Sequence, residues 1–295
     1  MEKTPLVSIL LLSMNHELYI EQCIISIINQ TYKNIEILYL DNASSDNTFS
    51  IGEKILKDSG LFFKTFSNTQ SKNISTNFNF LFNQSSGSYI SPMSADDWFE
   101  PENFEVKIRY FLTDPHLGAL FSNGWIYYEF EKTLVLNDAS NFKKGHIHKD
   151  ILMQPDCIFY VGILYKRETI EKVGKWDETL IIEDTDMLIR ISLVSTIDYI
   201  KRPLVYYRRL NSSLSRNKQF MIMGYGQYFT KYKEVQWVNM RKWLGERYRS
   251  MAAGDIDEGS FKHSITNLRY AISLNPLGVS NIRTIFYLFK KAIKK

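Results

Sequence analysis

Leu6-Val7-Ser8-Ile9-Leu10-Leu11-Leu12 is an almost unbroken apolar run. A strand with one face in water alternates apolar and polar residues. A run like this one must be covered on both faces, the condition of a strand inside a parallel sheet. It is too short to span a bilayer, which takes about 20 apolar residues, and no other run in the chain is long enough. Helical spacing follows: Ile20, Cys23, Ile24, Ile27 and Ile28 recur on one helix face, with Asn15 as a candidate N-cap and Glu17 in the first turn. Ile35–Leu40 reads as a second strand, Thr48–Asp58 as a helix, Phe62–Phe66 as a strand and Ser75–Asn83 as a helix before a strand at 88–92. This alternation predicts an α/β fold whose mostly parallel central sheet is flanked by helices.

Beyond residue 100 the pattern loosens. Pro101 suits the first position of a helix. Residues 118–122 and 125–130 suggest two strands, antiparallel to each other. Lys166–Val173 suggests a helix closed by Gly174, and Asp184–Val194 another. Tyr199-Ile200 and Leu204–Tyr207 suggest short strands around Pro203, and from Arg216 onward the chain reads as helical. Two domains are expected, 1–215 with the sheet and 216–295 as a helical C-terminal region.

Composition narrows the function. Lys and Arg total 36 against 32 Asp and Glu, but Arg283, Lys290, Lys291, Lys294 and Lys295 lie in the last stretch, which contains no acid. With that tail set aside the body is close to neutral, so the basic stripe of a nucleic-acid binder is absent. Cys23 and Cys157 show no metal spacing, and no signal peptide is evident, so a reducing, cytoplasmic setting is expected. The 5 Trp, 18 Tyr and 19 Phe suit sugar or base stacking and a well-filled core alike.

Three acidic signals carry the chemistry. Asp41 ends the second strand, where a carboxylate can accept a hydrogen bond from a base N–H or a ribose hydroxyl; Asp46 suits a cap for the next helix. Asp96-Asp97 follows a strand, where oxygen ligands suit Mg²⁺ or Mn²⁺ bridged to substrate phosphates. Glu183-Asp184 opens a helix, where a carboxylate can act as general base towards a hydroxyl. Each has a plainer reading as a charged turn or cap. His146 and His148 lack a third partner and suggest no metal site. A nucleotidyltransferase would need a Gly-rich basic loop after the first strand, which Leu12-Ser13-Met14-Asn15-His16 does not supply.

Over about residues 5–215 these segments, in order, resemble the family 2 glycosyltransferases of the bacterial cell-surface polysaccharide type. Pro5-Leu6-Val7-Ser8-Ile9 through Asn15 looks like the family's first strand and nucleotide loop. Ser26-Ile27-Ile28-Asn29-Gln30-Thr31-Tyr32 matches its Ser-x-x-x-Gln-Thr-Tyr stretch, and Glu36-Ile37 through Thr48 its second strand and turn. Ser94-Ala95-Asp96-Asp97 matches its metal motif. Val173-Gly174-Lys175-Trp176-Asp177-Glu178 and Glu183-Asp184 match its acceptor loop and catalytic pair.

The resemblance implies the Rossmann-like GT-A fold with a C-terminal helical extension. It implies an inverting transfer from a nucleoside-diphosphate sugar, expected to be a UDP-sugar donating a hexose or N-acetylhexosamine, to a hydroxyl of a glycan or lipid-linked glycan. Ser13, Asn15 and Asp41 would hold the nucleoside. Asp96 would hold Mn²⁺ or Mg²⁺, and Asp97 would contact the donor sugar or support the metal. Asp184 would be the base, with Glu183 orienting it or the acceptor. Trp176 and Asp177 would shape the acceptor site, and Trp98 is a further sugar-facing candidate, with core or loop packing the equal alternative for either tryptophan. Departures are Asn42 for a second Asp, Ser94 for the first Asp of the metal motif, Phe78 for an Arg and Leu210 for a His. Arg208, Arg209 or Arg216 would then meet the diphosphate. The alternative is a catalytically degenerate glycan- or nucleotide-binding protein, or a scaffold of a polysaccharide synthase complex.

In the tail, Ile282, Ile285, Phe286, Phe289 and Ile293 share one helical face with Lys and Arg around it. Such a helix either lies in an anionic membrane surface, here the inner face of the cell membrane, or packs on the protein's own body.

Overall fold

A computed structural model describes residues 4–210, 213–214, 217–257 and 259–293. Ser215 and Arg216 at the expected domain boundary, and Lys294 and Lys295 of the tail, lie outside the described residues. The chain divides into two compact units, Met1–Asn211 and Ser212–Lys295.

The first unit begins with β1 (Val7–Ser13), α1 (Ile20–Ile28), β2 (Ile35–Asp41), α2 (Thr48–Asp58), β3 (Phe62–Ser67), α3 (Ile74–Gln84) and β4 (Tyr89–Ser94). These four strands are parallel, in the order β3-β2-β1-β4. Every residue of β1 and β2 is buried, as their apolar runs require. Ile20, Cys23, Ile24 and Ile27 of α1 turn inward as their spacing predicts. Asn15 does not cap that helix. It adopts a left-handed φ of 56° in a turn that His16 closes by accepting from the Tyr19 and Ile20 N–H groups, so α1 starts later.

The sheet continues with β5 (Trp98–Phe99), α4 (Asn103–Phe111), β6 (Leu117–Tyr128), β7 (Thr133–Leu136), α5 (His148–Met153), β8 (Leu164–Lys166), α6 (Arg167–Lys172), α7 (Glu183–Val194) and β9 (Thr196–Arg209). Pro101 precedes α4 instead of entering it, because Trp98-Phe99 first pair with β9. Residues 117–128 form one strand, not two. The short strands around Pro203 are likewise one strand, β9, parallel to β6. Register shifts flanking Asn123, the partner of Pro203, absorb the missing N–H of that proline. Gly174, at φ 85°, ends the α6 turn as expected.

The topology fixes which ends meet. β8 runs antiparallel to β4 and to β6, so β6 and β9 run in the same sense as β4. The ends Ser13, Asp41, Ser94 and Arg209 therefore lie on one edge of the sheet. β9 starts at the opposite edge beside Leu117, so α7, which feeds it, begins back at the first edge.

The second unit packs α8 (Lys218–Tyr232), α9 (Met240–Asp257), α10 (Phe261–Leu274) and α11 (Val279–Ile293). Trp243 is buried against Tyr225 and Tyr228. The buried Asp255 accepts from Asn267 Nδ2 (2.8 Å) and Lys218 Nζ (2.5 Å).

One charge interrupts the apolar run of β2. Glu36 in β2 is buried, and its carboxylate accepts from Ser8 Oγ (2.6 Å), Ser86 N (2.6 Å) and Gly87 N (3.0 Å). A Cβ at residue 87 would meet Ser8 Oγ at 2.5 Å and Leu6 O at 2.7 Å, so only glycine fits. Burial pushes the Glu36 carboxyl up, but the hydrogen bonds outweigh it and hold the group below its usual range. The depressed value means this stability exists above the ordinary carboxylate range and is lost as pH falls through the folded-state value. Glu36→Gln is expected to lose about 2 kcal/mol at neutral pH. The deficit should shrink in acid, as read by urea denaturation at both pH values.

Candidate active site

Ser13 and Asp41 are register partners at the ends of β1 and β2, and Ser94 closes β4 beside Leu12. Asp41 Oδ1 accepts from Ser13 Oγ (2.8 Å) and Ser44 Oγ (2.6 Å), and Oδ2 from Ser44 N (2.8 Å). Asn15 N donates to the same Ser44 hydroxyl (2.8 Å), while Asn15 Oδ1 accepts from Ser45 N (2.9 Å). The three nucleoside candidates thus form one cradle. Asp46 accepts from Thr48 N (3.0 Å) at the start of α2 and from Glu17 N (3.3 Å), so it joins that helix start to the turn before α1.

Asp96-Asp97 sits in the turn between β4 and β5. Asp97 is buried, with Oδ1 accepting from Arg208 N at 2.9 Å. Burial, reinforced by the Asp96 charge, pushes its carboxyl well above the usual range. It is placed to support the turn and not to touch a sugar. Asp96 is half-buried, and its Oδ1 has no hydrogen-bond partner among the described residues. An orphaned carboxylate oxygen at this edge fits a hard cation whose remaining ligands come from a diphosphate. No group of three or more His, Cys, Asp or Glu able to hold a metal occurs among the described residues, so the protein alone does not build a closed cage.

Arg208 was expected to meet the diphosphate. Instead it is 4% exposed and caged. Its guanidinium lies 4.7, 4.6 and 5.4 Å from the ring centroids of Tyr19, Trp98 and Tyr127. Nε donates to Asp96 O (2.9 Å), while the terminal nitrogens donate to Glu129 and Gln22. The cation locks the Asp96-Asp97 turn to the end of β9. Strand alternation sends Arg209 to the other face, exposed beside Tyr128, where it stays accessible to phosphate. Trp98 stacks on Tyr206 (4.7 Å) and walls the Arg208 cage, so it is not a free sugar platform.

Glu183 and Asp184 open α7. Asp184 Oδ1 accepts from Thr185 N (2.5 Å), and Thr185 Oγ1 donates to Tyr160 OH (3.2 Å). Burial, with the Asp184 charge second, pushes Glu183 up to about 8, and burial raises Asp184 as well. Asn73 fastens the loop before this helix to the edge of the sheet that holds Asp41. Lys72 N donates to Asn42 Oδ1 (2.9 Å), and Asn73 Nδ2 donates to Glu178 O (3.1 Å) and Leu180 O (3.3 Å).

A model of glycosyl transferase family 2 matches residues 8–174. The chain belongs to glycosyl transferase family 2. An uncharacterized glycosyltransferase of Haemophilus influenzae is 36% identical over 190 residues, 63% of this chain and 57% of that relative, so the chain spans little more than half its length. The crystal structure of S. aureus TarS 1–349 in complex with UDP-GlcNAc gives a TM-score of 0.64 at 14% identity, covering 98% of this chain and 88% of that one. The mannosyltransferase PcManGT from Pyrobaculum calidifontis, in complex with GDP-Man and Mn²⁺, gives 0.59 at 15% identity, covering 99% and 87%. At these identities the likeness shows the fold, which is GT-A.

Within this glycosyltransferase, Trp176 is corrected from an acceptor contact to a core residue. It is 3% exposed, with Phe78, Phe82 and Tyr165 at 5.5, 6.2 and 6.5 Å. Phe78 completes that cluster. Asp177 accepts from Thr179 N (2.9 Å) and Oγ1 (2.7 Å), shaping its own loop. The Ser26–Gln30-Thr31 stretch proves to be a brace: Ser26 Oγ accepts from Phe99 N (3.1 Å), Gln30 Nε2 donates to Glu100 O (2.8 Å), and Thr31 N donates to Pro101 O (2.8 Å). Asn73, Gln22, Glu129 and Thr185 were not singled out from sequence. Asn73 alone carried a signal, as an N-cap before Ile74. A cavity of about 480 Å³ bounded by His116, His146, Lys172 and Ser195 lies at the opposite edge of the sheet and takes no part in this site.

Two outcomes follow from this geometry. Arg208→Met leaves Glu129 with Lys132 alone and frees the turn, with an expected loss of about 3 kcal/mol in chemical denaturation; an unchanged midpoint would show that the cage contributes nothing. Glu183, raised in the folded state, contributes stability fully present below its unfolded value and lost as pH rises towards about 8. Glu183→Gln should therefore melt with the wild type at pH 4 and above it at pH 8.5.

Proposed function

We propose that the protein is an inverting glycosyltransferase that moves a hexose or N-acetylhexosamine from a UDP-sugar to a hydroxyl of a glycan or lipid-linked glycan. The observation that carries this reading is an acidic pair of raised proton affinity, Glu183-Asp184, on the sheet edge that also holds the Asp41 cradle and the orphaned Asp96 oxygen. Asp41 Oδ2 accepts one bond and has capacity for a base N–H, which uracil N3–H and guanine N1–H both offer. The two structural neighbours carry UDP-GlcNAc and GDP-Man, so the fold by itself does not choose the base.

Asp96 would hold a divalent cation, Mn²⁺ or Mg²⁺, which supplies positive charge against the diphosphate leaving group. The remaining work belongs to the chain. Ser13, Asn15 and Asp41 position the nucleoside. Arg209 meets the phosphates from the end of β9. Asp184 takes the proton of the acceptor hydroxyl as its oxygen attacks the anomeric carbon from the face opposite the diphosphate, so a single displacement inverts the centre. Burial strengthens Asp184 as a base, and Glu183 beside it sets how readily the pair gives up its proton. Tyr160 and Thr185 keep the base in place.

Asp184→Asn should lose at least ~100-fold in kcat, about 2.7 kcal/mol of barrier, with donor affinity preserved. The measurement is release of nucleoside diphosphate, with nucleotide-sugar binding read separately by thermal shift. Wild-type turnover by the variant would remove Asp184 from the role; binding without turnover in the wild type would favour the scaffold alternative. The acid limb of the wild-type rate profile should lie above the ordinary carboxylate range, because the base must lose a proton that burial holds. A limb at an ordinary carboxylate value would contradict this.

A further inference from the structure

The polarity of α11 is turned inside out. Asn281 and Thr284 are buried, while Ile282, Phe286 and Phe289 are 54%, 70% and 61% exposed. The inward groups are satisfied within their own unit: Asn281 Nδ2 donates to Asn275 O (2.8 Å), Thr284 Oγ1 to Ser280 O (3.1 Å), and Ser280 Oγ to Glu246 Oε1 (2.7 Å). The outward residues fall three and four apart and so form one apolar stripe along the helix. Val279 and the almost fully exposed Leu277 extend it. Arg283 and Lys290, both exposed, border it one residue on from Ile282 and Phe289. No acid occurs from residue 281 to the last residue, and Lys294 and Lys295 follow in sequence outside the described residues.

An apolar stripe with a cationic border and a hydrogen-bonded polar back is built to lie in an interface. Among the described residues no helix is long and apolar enough to cross a membrane, so this one would lie flat. We propose that α11 docks on an anionic lipid surface: Ile282, Phe286 and Phe289 enter the acyl boundary while Arg283 and Lys290 meet the headgroup phosphates. A second copy of the chain is the poorer occupant, because pairing two such stripes would set their Arg283 and Lys290 borders against each other. The proposal goes beyond the transfer reaction and is tested by binding alone, so its failure and that of the enzymatic reading are distinguishable.

The test uses the full chain with sedimented vesicles of phosphatidylcholine, with and without phosphatidylglycerol. The expected result is binding that requires phosphatidylglycerol and weakens with salt. The triple variant Ile282→Ser, Phe286→Ser, Phe289→Ser and the double variant Arg283→Glu, Lys290→Glu should each lose about tenfold or more. The substituted side chains are exposed, so melting curves should match wild type and separate lost binding from lost folding. Equal vesicle binding by wild type and both variants would overturn the proposal. So would absence of vesicle binding with a dimer, seen by light scattering, that the triple variant abolishes.

Discussion

The central constraint is that β1 and β2 are covered on both faces. A strand in that position has nowhere to put a polar side chain except its ends, since each unpaired buried polar group costs kilocalories. Glu36 is the exception that measures the rule: it needs two backbone N–H groups, a serine hydroxyl and a glycine with no Cβ in its way. Function is therefore pushed to the strand ends, and parallel pairing puts those ends side by side. The same burial that makes the sheet stable lines up Ser13, Asp41 and the turn after Ser94.

The edge handles its buried charges in two opposite ways. Arg208 is fully compensated by carboxylate, amide, carbonyl and three aromatic faces. A cation so satisfied has little left to offer a ligand, and its role is to hold Asp96 and Asp97 where β4, β5 and β9 converge. Glu183 and Asp184 share no cation that is close enough to lower them, and their proton affinity rises accordingly. The first arrangement stabilises a turn; the second leaves a pair of carboxyls of raised proton affinity at the start of a helix, held only by local hydrogen bonds such as that from Thr185 N to Asp184.

Much of this was legible in the chain, and the misses share a cause. Long periodic segments such as 20–28 and 48–58 announced themselves, because one buried face dictates their spacing. The acidic residues fall where the element order puts them, with Asp41 closing β2 and Glu183 opening α7. What failed was direction. Trp176 and Trp98 suit a sugar face or a packed core equally well in sequence, since a tryptophan in a loop looks the same either way; in the fold one fills a core of Phe78, Phe82 and Tyr165 and the other walls in Arg208. Arg208 and Arg209 looked equivalent, although strand alternation must send one in and one out. Residues 117–128 looked like two strands because Gly124 interrupts the pattern. A Cβ there would meet Phe159 at 2.5 Å, so that glycine serves close packing inside one continuous strand. Partners distant in sequence, such as Glu129 for Arg208 and Asn73 for the 178–180 loop, left no local trace.

A carboxylate-rich edge raises an electrostatic difficulty for any diphosphate donor. Asp41, Asp96, Asp97, Glu183 and Asp184 would together repel it if all were ionised. Burial eases this, because it raises Asp97, Glu183 and Asp184 and so favours their neutral forms, leaving the edge less negative than the residue count implies. For Asp184 to act as the proposed base it must first lose the proton that burial holds, so the neutral form that lightens the charge on this edge is not the form that does chemistry. The lighter charge on this edge and the higher proton affinity at Asp184 thus come from one physical cause, the burial of carboxylates along one edge of the sheet.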